Sequence, residues 1–264
     1  MGKIIAVVNQ KGGVGKTATV INLAAALALL EKRTLIIDFD PQGNATSGVG
    51  ANKQVFEYSI YHLLIDQLEP ASLVLSTDIP LLKIIPSDMD LVGADIELVP
   101  LPQREQVLKR KIGPLIPEFD YILLDCPPSL GLLTVNALTA AQAIIVPTQC
   151  EYYALEGLGK LLNTIQIVQG GLNPSLYVEG ILLTMFDVRN NLSFQVENEV
   201  RTHLKELVFK TVIPRNVRIS ESPSHGLPVL LYDPQSKGAQ SYMDLAEEIL
   251  AGEKHDGRNK NATY

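Results

Sequence analysis

Residues 9–17 read NQKGGVGKT, and this stretch decides the fold. It follows the apolar run KIIAVV of residues 3–8 and precedes a segment rich in alanine and leucine. Glycines in such a loop let backbone N–H groups turn inward and approach an anion closely. Gly15, Lys16 and Thr17 lie where a strand gives way to a helix, which predicts a phosphate-binding loop. Lys16 would then contact the β- and γ-phosphates, and the Thr17 hydroxyl would bind Mg²⁺.

The loop departs from the usual template, G-x-x-x-x-G-K-[ST], at two positions. Gln10 stands where the template has its first glycine, and Lys11 adds a second lysine. A glycine-rich turn with chance lysines is the simpler interpretation, but the strand–loop–helix context argues against it. Lys11 therefore needs a role of its own.

Short apolar runs alternate with helical patterns along the chain. The runs lack polar alternation, as expected of strands that are buried on both faces of a parallel sheet. This order predicts an α/β fold with a doubly wound, mostly parallel sheet that binds its ligand beyond the carboxyl ends of the strands. The predicted strands are 3–9, 34–40, 81–86, 121–127, 143–148, 177–186 and 208–214, and the predicted helices are 16–32, 104–112, 131–141, 154–169, 193–207 and 237–251.

Length and charge limit the classes of protein to consider. The 264 residues, of which 46% are hydrophobic, suit one domain, which we expect over residues 1–251 with a polar, disordered tail over residues 252–264. The net charge of −7 excludes a uniformly basic nucleic-acid binder, so any DNA contact must come from a local basic patch.

Cysteine content and hydropathy predict a soluble, cytoplasmic protein. Two cysteines, Cys126 and Cys150, do not make a disulfide framework in a chain of this length. No apolar run approaches the roughly 18 residues that a membrane-spanning helix needs.

Three aspartates lie at the ends of predicted strands. Asp38 and Asp40 are two residues apart and point the same way, and Asp125 closes the run YILLD, which is the Walker B pattern. Each one alone could be a helix cap or a turn residue. Three carboxylates at these places in a P-loop chain instead predict Mg²⁺ binding, which Asp125 would provide through water.

Five stretches together resemble one family. KGGVGKT resembles the deviant Walker A motif of the ParA/MinD ATPases. The other four resemble the chromosomal ParA branch, the Soj-type partition ATPases, and the similarity runs from Lys3 to about Ile249. They are DFDPQGNATSG (38–48), DCPPSLGLLTVNAL (125–138), QCEYYALEGL (149–158) and VIPRNVRISESPSHG (212–226).

The resemblance implies a role for Lys11. In this family the corresponding lysine reaches across a nucleotide-sandwich dimer to the phosphates bound by the other subunit, and Glu151 matches a position that pairs with it. Gly12 and Gly13 would let the two loops approach closely, so that a side chain at Gly12 should clash.

The resemblance also implies roles for the acids and for the nucleoside pocket. Asp40 would position the attacking water, and Asp38 would support the Mg²⁺ shell. Pro214 and Asn216 match positions near adenine, with Met185 a weaker match. Val14 and Ala18 complete the loop; Ala18 replaces a threonine that is frequent in the family, and we expect little effect from this departure.

The same resemblance places DNA contacts in the segment 189–218, which holds six basic and three acidic residues, a local charge of +3. Charge alone favours a solvated helix face. Arg189 and Arg218, however, match arginines that contact DNA without sequence preference.

The implied protein uses ATP/ADP and Mg²⁺, forms an ATP-dependent homodimer and binds non-specific double-stranded DNA at the nucleoid. A ParB-type centromere-binding partner would stimulate hydrolysis, and the cycle would segregate a chromosome or a plasmid.

Three alternatives remain. A MinD-like membrane-surface ATPase would need a basic C-terminal amphipathic helix, whereas SYMDLAEEILAGEKHDG is acidic on its polar face, so we expect no stable membrane association. A redox ATPase like the nitrogenase iron protein would bridge a cluster with cysteines, but Cys126 and Cys150 do not lie in matching ligand loops. A weakly hydrolysing scaffold is the third.

Overall fold

A computed structural model describes residues 2–51, 56–151 and 154–254. Its centre is an eight-stranded sheet in the order β3-β4-β2-β5-β1-β6-β7-β8. All seven predicted strands are present, and the predicted α/β fold is confirmed. The strands are β1 Lys3–Val7, β2 Thr34–Asp38, β3 Leu75–Ser76, β4 Leu82–Ile85, β5 Tyr121–Asp125, β6 Ala143–Gln149, β7 Tyr177–Phe186 and β8 Val208–Pro214.

The strand pairs are parallel throughout the described sheet except at one edge. There β3 pairs antiparallel with β4, over two residue pairs. Such a short strand has too few residues to show a periodic pattern, so the sequence did not predict it. The parallel pairs bring the carboxyl ends of β1, β2 and β5 to one edge of the sheet, where Asp38 and Asp125 are partners in the β2–β5 register.

Helices cover both faces of the sheet. The six predicted helices are present, although residues 104–106 form a 3₁₀ turn ahead of α5. The sequence did not predict the short helices α2, α3, α4, α9 and α10. The bounds are α1 Lys16–Leu29, α2 Asn44–Gly48, α3 Ile60–Ile65, α4 Leu91–Glu97, α5 Val107–Ile112, α6 Leu132–Ala140, α7 Ala154–Gly171, α8 Asn191–Leu204, α9 Val217–Glu221, α10 Val229–Tyr232 and α11 Lys237–Lys254.

The core has two layers, because successive residues of a strand point to opposite faces. Ile4 and Ala6 of β1 pack on the side covered by α3 to α8, whereas Ile5 and Val7 pack on the side of α1 and α11. All four side chains are essentially buried. This double burial explains the apolar runs without polar alternation from which the sheet was predicted.

Helix α11 is longer than predicted and reaches the edge of the sheet opposite the phosphate loop. It runs to Lys254, three residues beyond the predicted end of the domain at 251. Its Glu253 carboxylate accepts a hydrogen bond from the Tyr121 hydroxyl at 2.6 Å and pairs with Lys3 at 3.0 Å. The end of the helix is therefore fastened to the first residues of β1 and β5. The predicted disordered tail falls mainly on residues 255–264, outside the described residues.

Candidate functional site

The phosphate loop joins the carboxyl end of β1 to the start of α1. Gly13 and Gly15 have positive φ angles, 74° and 89°, which residues with a Cβ rarely adopt. Within the described chain, no side chain caps the start of α1, and its first turn carries no acid. The N–H groups of that turn are therefore available to an anion, and the positive end of the helix dipole reinforces the site.

Neighbouring strands hold this loop in shape. The Asn9 amide donates to the Pro147 carbonyl of β6 at 2.7 Å, and its oxygen accepts from the Lys11 N–H at 3.0 Å. The Thr184 hydroxyl of β7 donates to the Val14 carbonyl at 2.9 Å. The loop is thus fixed by contacts with β6 and β7 in addition to β1, from which it starts, and this preorganises its backbone for a ligand.

The two lysines of the loop have different surroundings. Lys16 is buried, and its ammonium donates to the Lys11 carbonyl at 3.3 Å. Burial lowers the pKa of Lys16, against the opposing effect of the nearby Asp125 carboxylate. Lys11 is exposed and forms an ion pair with Glu151 of the same chain. A Cβ added at Gly12 would meet nothing within 4 Å in the described chain, so the predicted clash at Gly12 concerns a second subunit and stays a prediction.

Asp38 lies fully buried at the end of β2 and accepts three hydrogen bonds. The Thr46 N–H donates at 2.8 Å, the Thr46 hydroxyl at 2.7 Å and the Asp40 N–H at 3.3 Å. The Thr46 oxygen in turn accepts from the Ser87 N–H at 3.0 Å. Burial raises the pKa of Asp38 to about 6, although these donors act in the opposite direction.

Asp125 lies beside Asp38 and is equally buried. Among the residues that the structure describes, neither of its carboxylate oxygens has a hydrogen-bond partner. Burial and the neighbouring Asp38 raise the pKa of Asp125 well above its usual range. The nearby Thr17 hydroxyl acts in the opposite direction and lowers this pKa, although its geometry falls short of a hydrogen bond.

This pair of acids fits a cation. A buried, unpartnered carboxylate next to a second one is costly unless a positive charge compensates it. The predicted magnesium residues Thr17, Asp38 and Asp125 therefore meet at one place. No group of three or more His, Cys, Asp or Glu side chains in the described ranges has the geometry to hold a metal directly.

Asp40, the fourth predicted magnesium residue, is also nearly buried and sits two residues beyond β2. Its carboxylate accepts from the Gln42 N–H at 3.0 Å, and its carbonyl accepts from the Gly43 N–H at 3.0 Å. These turn contacts fix Asp40 at the same edge of the sheet as Asp38. Its role with water stays a prediction.

A cavity of about 180 Å³ opens behind the phosphate loop. The predicted nucleoside residues Met185, Pro214 and Asn216 line it together with Gly15 and Ala18. Met185 has a φ of 52°, an uncommon conformation for a residue with a Cβ, and such strain is frequent at functional sites. Seven further lining residues were not predicted to lie near the nucleoside: Gln149, Thr184, Ile213, Arg215, Ile219, Ser220 and Tyr242.

Comparison with known proteins assigns the family. A family model described as an AAA domain matches residues 2–178. The sporulation initiation inhibitor protein Soj of Bacillus subtilis is 55% identical over 251 residues, which cover 95% of this chain and 99% of the relative. The chromosome partitioning protein ParA of Myxococcus xanthus is 53% identical over 250 residues, 95% of this chain and 88% of that one. The chain belongs to the ParA/Soj family of chromosome-partitioning ATPases.

The predicted family and the predicted class of enzyme are thereby confirmed. A crystal structure described as cobyrinic acid a,c-diamide synthase from Mycobacterium smegmatis, with bound ADP and magnesium, has a TM-score of 0.85 and 38% identity. It covers 100% of this chain and 99% of its own. The predicted cofactors, ATP/ADP and Mg²⁺, are thus confirmed for the ParA/Soj fold by a solved structure that contains ADP with the metal.

The two arginines predicted to bind DNA are exposed on this ParA/Soj chain, but each has acidic neighbours. Arg189, whose side chain is 83% exposed, pairs with Asp187 at 2.8 Å. Arg218 pairs with Glu221 at 2.9 Å and with Asp233 at 3.2 Å. Their contacts with DNA stay a prediction.

Arg201, one of the six basic residues in the segment 189–218, has a structural role. Its guanidinium donates to the Phe209 carbonyl at 3.0 Å and to the Lys210 carbonyl at 3.4 Å, and it pairs with Glu197 at 2.9 Å. It joins α8 to β8 and contributes less to a basic surface than the sequence count implied. In the described part of the chain, no helix is both long and apolar enough to cross a membrane.

Proposed function

We propose that this ParA/Soj-family chain is an ATP-dependent dimerising switch. As the ATP dimer it binds DNA without sequence preference, and with a ParB-type partner it segregates a chromosome or a plasmid. One ATPase domain over residues 1–251 carries this activity. The observation that supports it best is the pair of loop lysines, because buried Lys16 suits the phosphates of its own chain, whereas exposed Lys11 pairs with Glu151 at the surface.

The acidic edge of the sheet supports the hydrolysis step. Thr17, Asp38 and Asp125 would hold the magnesium ion, which neutralises phosphate charge when it is bound. Asp40, fixed by its turn contacts, would orient the water that attacks the γ-phosphate. Lys16 would contact the phosphate oxygens.

The exposed Lys11 supports the dimerisation step. Its pair with Glu151 lies at the surface, where such pairs contribute only about 0–1 kcal/mol. Exchanging this carboxylate for the phosphates of a second subunit therefore costs little. Dimerisation would depend on ATP because the negative charge of those phosphates attracts Lys11.

The exposed arginines support the DNA step in the same way. Arg189 and Arg218 pair with carboxylates at the surface, and DNA phosphates could replace those partners. A dimer doubles the number of arginines and joins two weak halves of one binding surface. ATP would then select the state that binds DNA, which is a population shift.

The decisive experiment measures binding to non-specific duplex DNA with ADP and with ATP. Asp40→Ala is used throughout to block turnover. In that background Arg218→Ala removes one contact in each subunit, Arg218→Lys keeps the charge, and Arg110→Ala is the matched control because Arg110 is an exposed arginine on α5.

We expect DNA binding only with ATP, weakened by Arg218→Ala and largely retained by Arg218→Lys and Arg110→Ala. Because Arg218→Ala removes two arginines per dimer, it should also reduce the slope of log affinity against log salt concentration by about 2. Equal binding with both nucleotides, or none, would contradict the switch. Sedimentation with anionic liposomes in the presence of ATP would favour the MinD-like alternative instead.

A further inference from the structure

Helix α4 presents an exposed apolar stripe at the nucleotide edge of the sheet. The stripe consists of Met89, Val92, Ile96 and Val99, and Ile96 is 74% exposed. Spacings of three, four and three residues put these side chains on one face of the helix and its flanking turns. Four large apolar side chains exposed on one face form a patch of the kind that marks an interaction site.

The opposite face of α4 is already packed in the core. Leu91, Ala94 and Leu98 are completely buried in the core, where α4 packs against α3 and α6. The helix is therefore held in place by this chain, and the stripe is not needed for that packing. A partner could cover the stripe without any rearrangement of the fold.

The stripe is flanked by acids on both sides. They are Asp88, Asp90, Asp95 and Glu97, and the sequence has no lysine or arginine from residue 84 to residue 103. Within the described residues, three of them accept hydrogen bonds only from neutral donors. Asp88 accepts from the Ser59 hydroxyl and the Asp90 N–H, Asp95 from the Leu133 N–H, and Glu97 from the Tyr61 hydroxyl. None of the four forms an ion pair with a residue in the described ranges, so together they carry a local charge of −4. The first cation that follows them in the sequence, Arg104, donates to the Val99 carbonyl at 3.1 Å and is itself paired with Glu105.

Two hydrogen-bonded routes connect the base of α4 with the hydrolysis site. In the first, the Gln42 amide approaches the Met89 sulfur at 3.9 Å, and the Gln42 N–H donates to the Asp40 carboxylate at 3.0 Å. In the second, the Ser87 N–H donates to the Thr46 hydroxyl, which donates to Asp38. A displacement at the start of α4 would therefore reach both acids.

We propose that the α4 stripe binds a basic amphipathic helix of a partner protein, and that this binding changes the rate of ATP hydrolysis. The partner places apolar side chains on the stripe and Lys or Arg beside its acidic flanks. DNA and anionic lipid carry the same charge sign as these flanks and are repelled. A second copy docked through the same face would oppose acids with acids. The inference rests on the proposed ATPase switch and names the surface through which its protein partner acts.

The test uses a fluorescent 18-residue helical peptide of leucine and lysine with all leucines on one face, and its binding is followed by anisotropy. Val92→Ser with Ile96→Ser removes the stripe, and Asp90→Lys with Glu97→Lys reverses the charge. The matched controls are Ile167→Ser, an exposed apolar residue on α7, and Glu247→Lys, an exposed acid on α11. A scrambled peptide of the same composition controls for net charge.

Each double variant should weaken peptide binding about tenfold or more, because the first removes two apolar side chains at the centre of the contact and the second turns two attractive flanking charges into repulsive ones. Both controls should stay within about twofold of the original chain. The bound peptide should change the rate of ATP hydrolysis, and Gln42→Ala should keep peptide binding but reduce that change.

Three results would overturn the proposal. Equal weakening by Glu247→Lys would show attraction to net charge alone, and an unchanged hydrolysis rate with bound peptide would refute the coupling. Loss of ATP-dependent dimerisation in the Val92→Ser and Ile96→Ser variant would assign the stripe to a second copy. Failure of the switch itself is recognised separately, because the unmodified chain would then bind DNA equally with ADP and ATP.

Discussion

Replacing Asp125 with asparagine should stabilise the metal-free protein and remove its response to magnesium. Asp125 is a buried carboxylate without a hydrogen-bond partner in the described chain, and it lies beside Asp38. Burial and Asp38 already raise its pKa, which means that the charged form is disfavoured in this fold. An asparagine amide carries no charge and can donate to Asp38, so the substitution replaces a repulsion by an attraction.

The size of the effect follows from the hydrogen bonds that the buried Asp125 carboxylate lacks. An unsatisfied buried polar group costs about 1–3 kcal/mol, and more if it is charged. A gain of about 2 kcal/mol would raise the Tm of a chain of this size by about 5 °C. The gain comes at the expense of the proposed metal site, as is common where a functional site is strained.

The assay is thermal unfolding, first with EDTA and then with ATP and Mg²⁺. The pH is about 7.5, because the carboxylates of the unfolded chain are charged there. Magnesium should raise the Tm of the original chain above its value with ATP alone, and it should not do so for Asp125→Asn. Asp120→Asn is the control, because Asp120 lies just before the same strand but pairs with Arg33 at 2.8 Å at the surface. A lower Tm of Asp125→Asn in EDTA, or a preserved response to magnesium, would refute this reasoning.

Three further predictions concern the buried contacts. Thr46→Val should raise the magnesium concentration needed for half-maximal ATPase activity several-fold, because the hydroxyl that orients Asp38 is lost. Thr46→Ser keeps a hydroxyl and should need nearly the original magnesium concentration. Equal effects of valine and serine would contradict the role of the Thr46 hydroxyl. Burial raises the pKa of Asp38 to about 6, so the native state binds more protons than the unfolded state between about pH 4 and pH 6. The urea midpoint of the metal-free protein should therefore fall as the pH rises from about 4 to about 6, and a rise would contradict this sign. Arg201→Ala should lower the free energy of unfolding by about 1.5–3 kcal/mol, since a charged donor is lost from two carbonyls. DNA binding by the folded variant should change less than in Arg189→Ala, and the reverse order would place Arg201 in the DNA surface.

The sequence predicted the sheet well because its strands are buried on both faces. Each apolar run could be buried only as a strand of an α/β domain, and the phosphate loop after β1 indicated at which edge of the sheet the ligand binds. The structure also brings Thr17, Asp38 and Asp125 together as predicted. The carboxyl ends of parallel strands meet at one edge, so residues distant in sequence become neighbours there.

Other features depend on contacts that have no local pattern. Helix α4 has seven residues, too few for a periodic signal, and its exposed stripe has the same composition as a core helix. The cavity residues Gln149 and Tyr242 are far apart in the sequence, so no local pattern links them. The predicted basic patch included Arg201, because a count of charges does not reveal that its guanidinium contacts the backbone of β8.

The fastening of Glu253 to Lys3 and Tyr121 has a practical consequence for single-molecule work. Helix α11 has 18 residues and spans about 27 Å, so it leads from the cavity residue Tyr242 to the far side of the sheet. A fluorophore or surface tether attached at the end of this helix would lie at the edge of the sheet opposite the loop that carries Lys11. Such a handle leaves the nucleotide edge unobstructed, so dwell times on DNA and the exchange of subunits could be recorded on immobilised molecules.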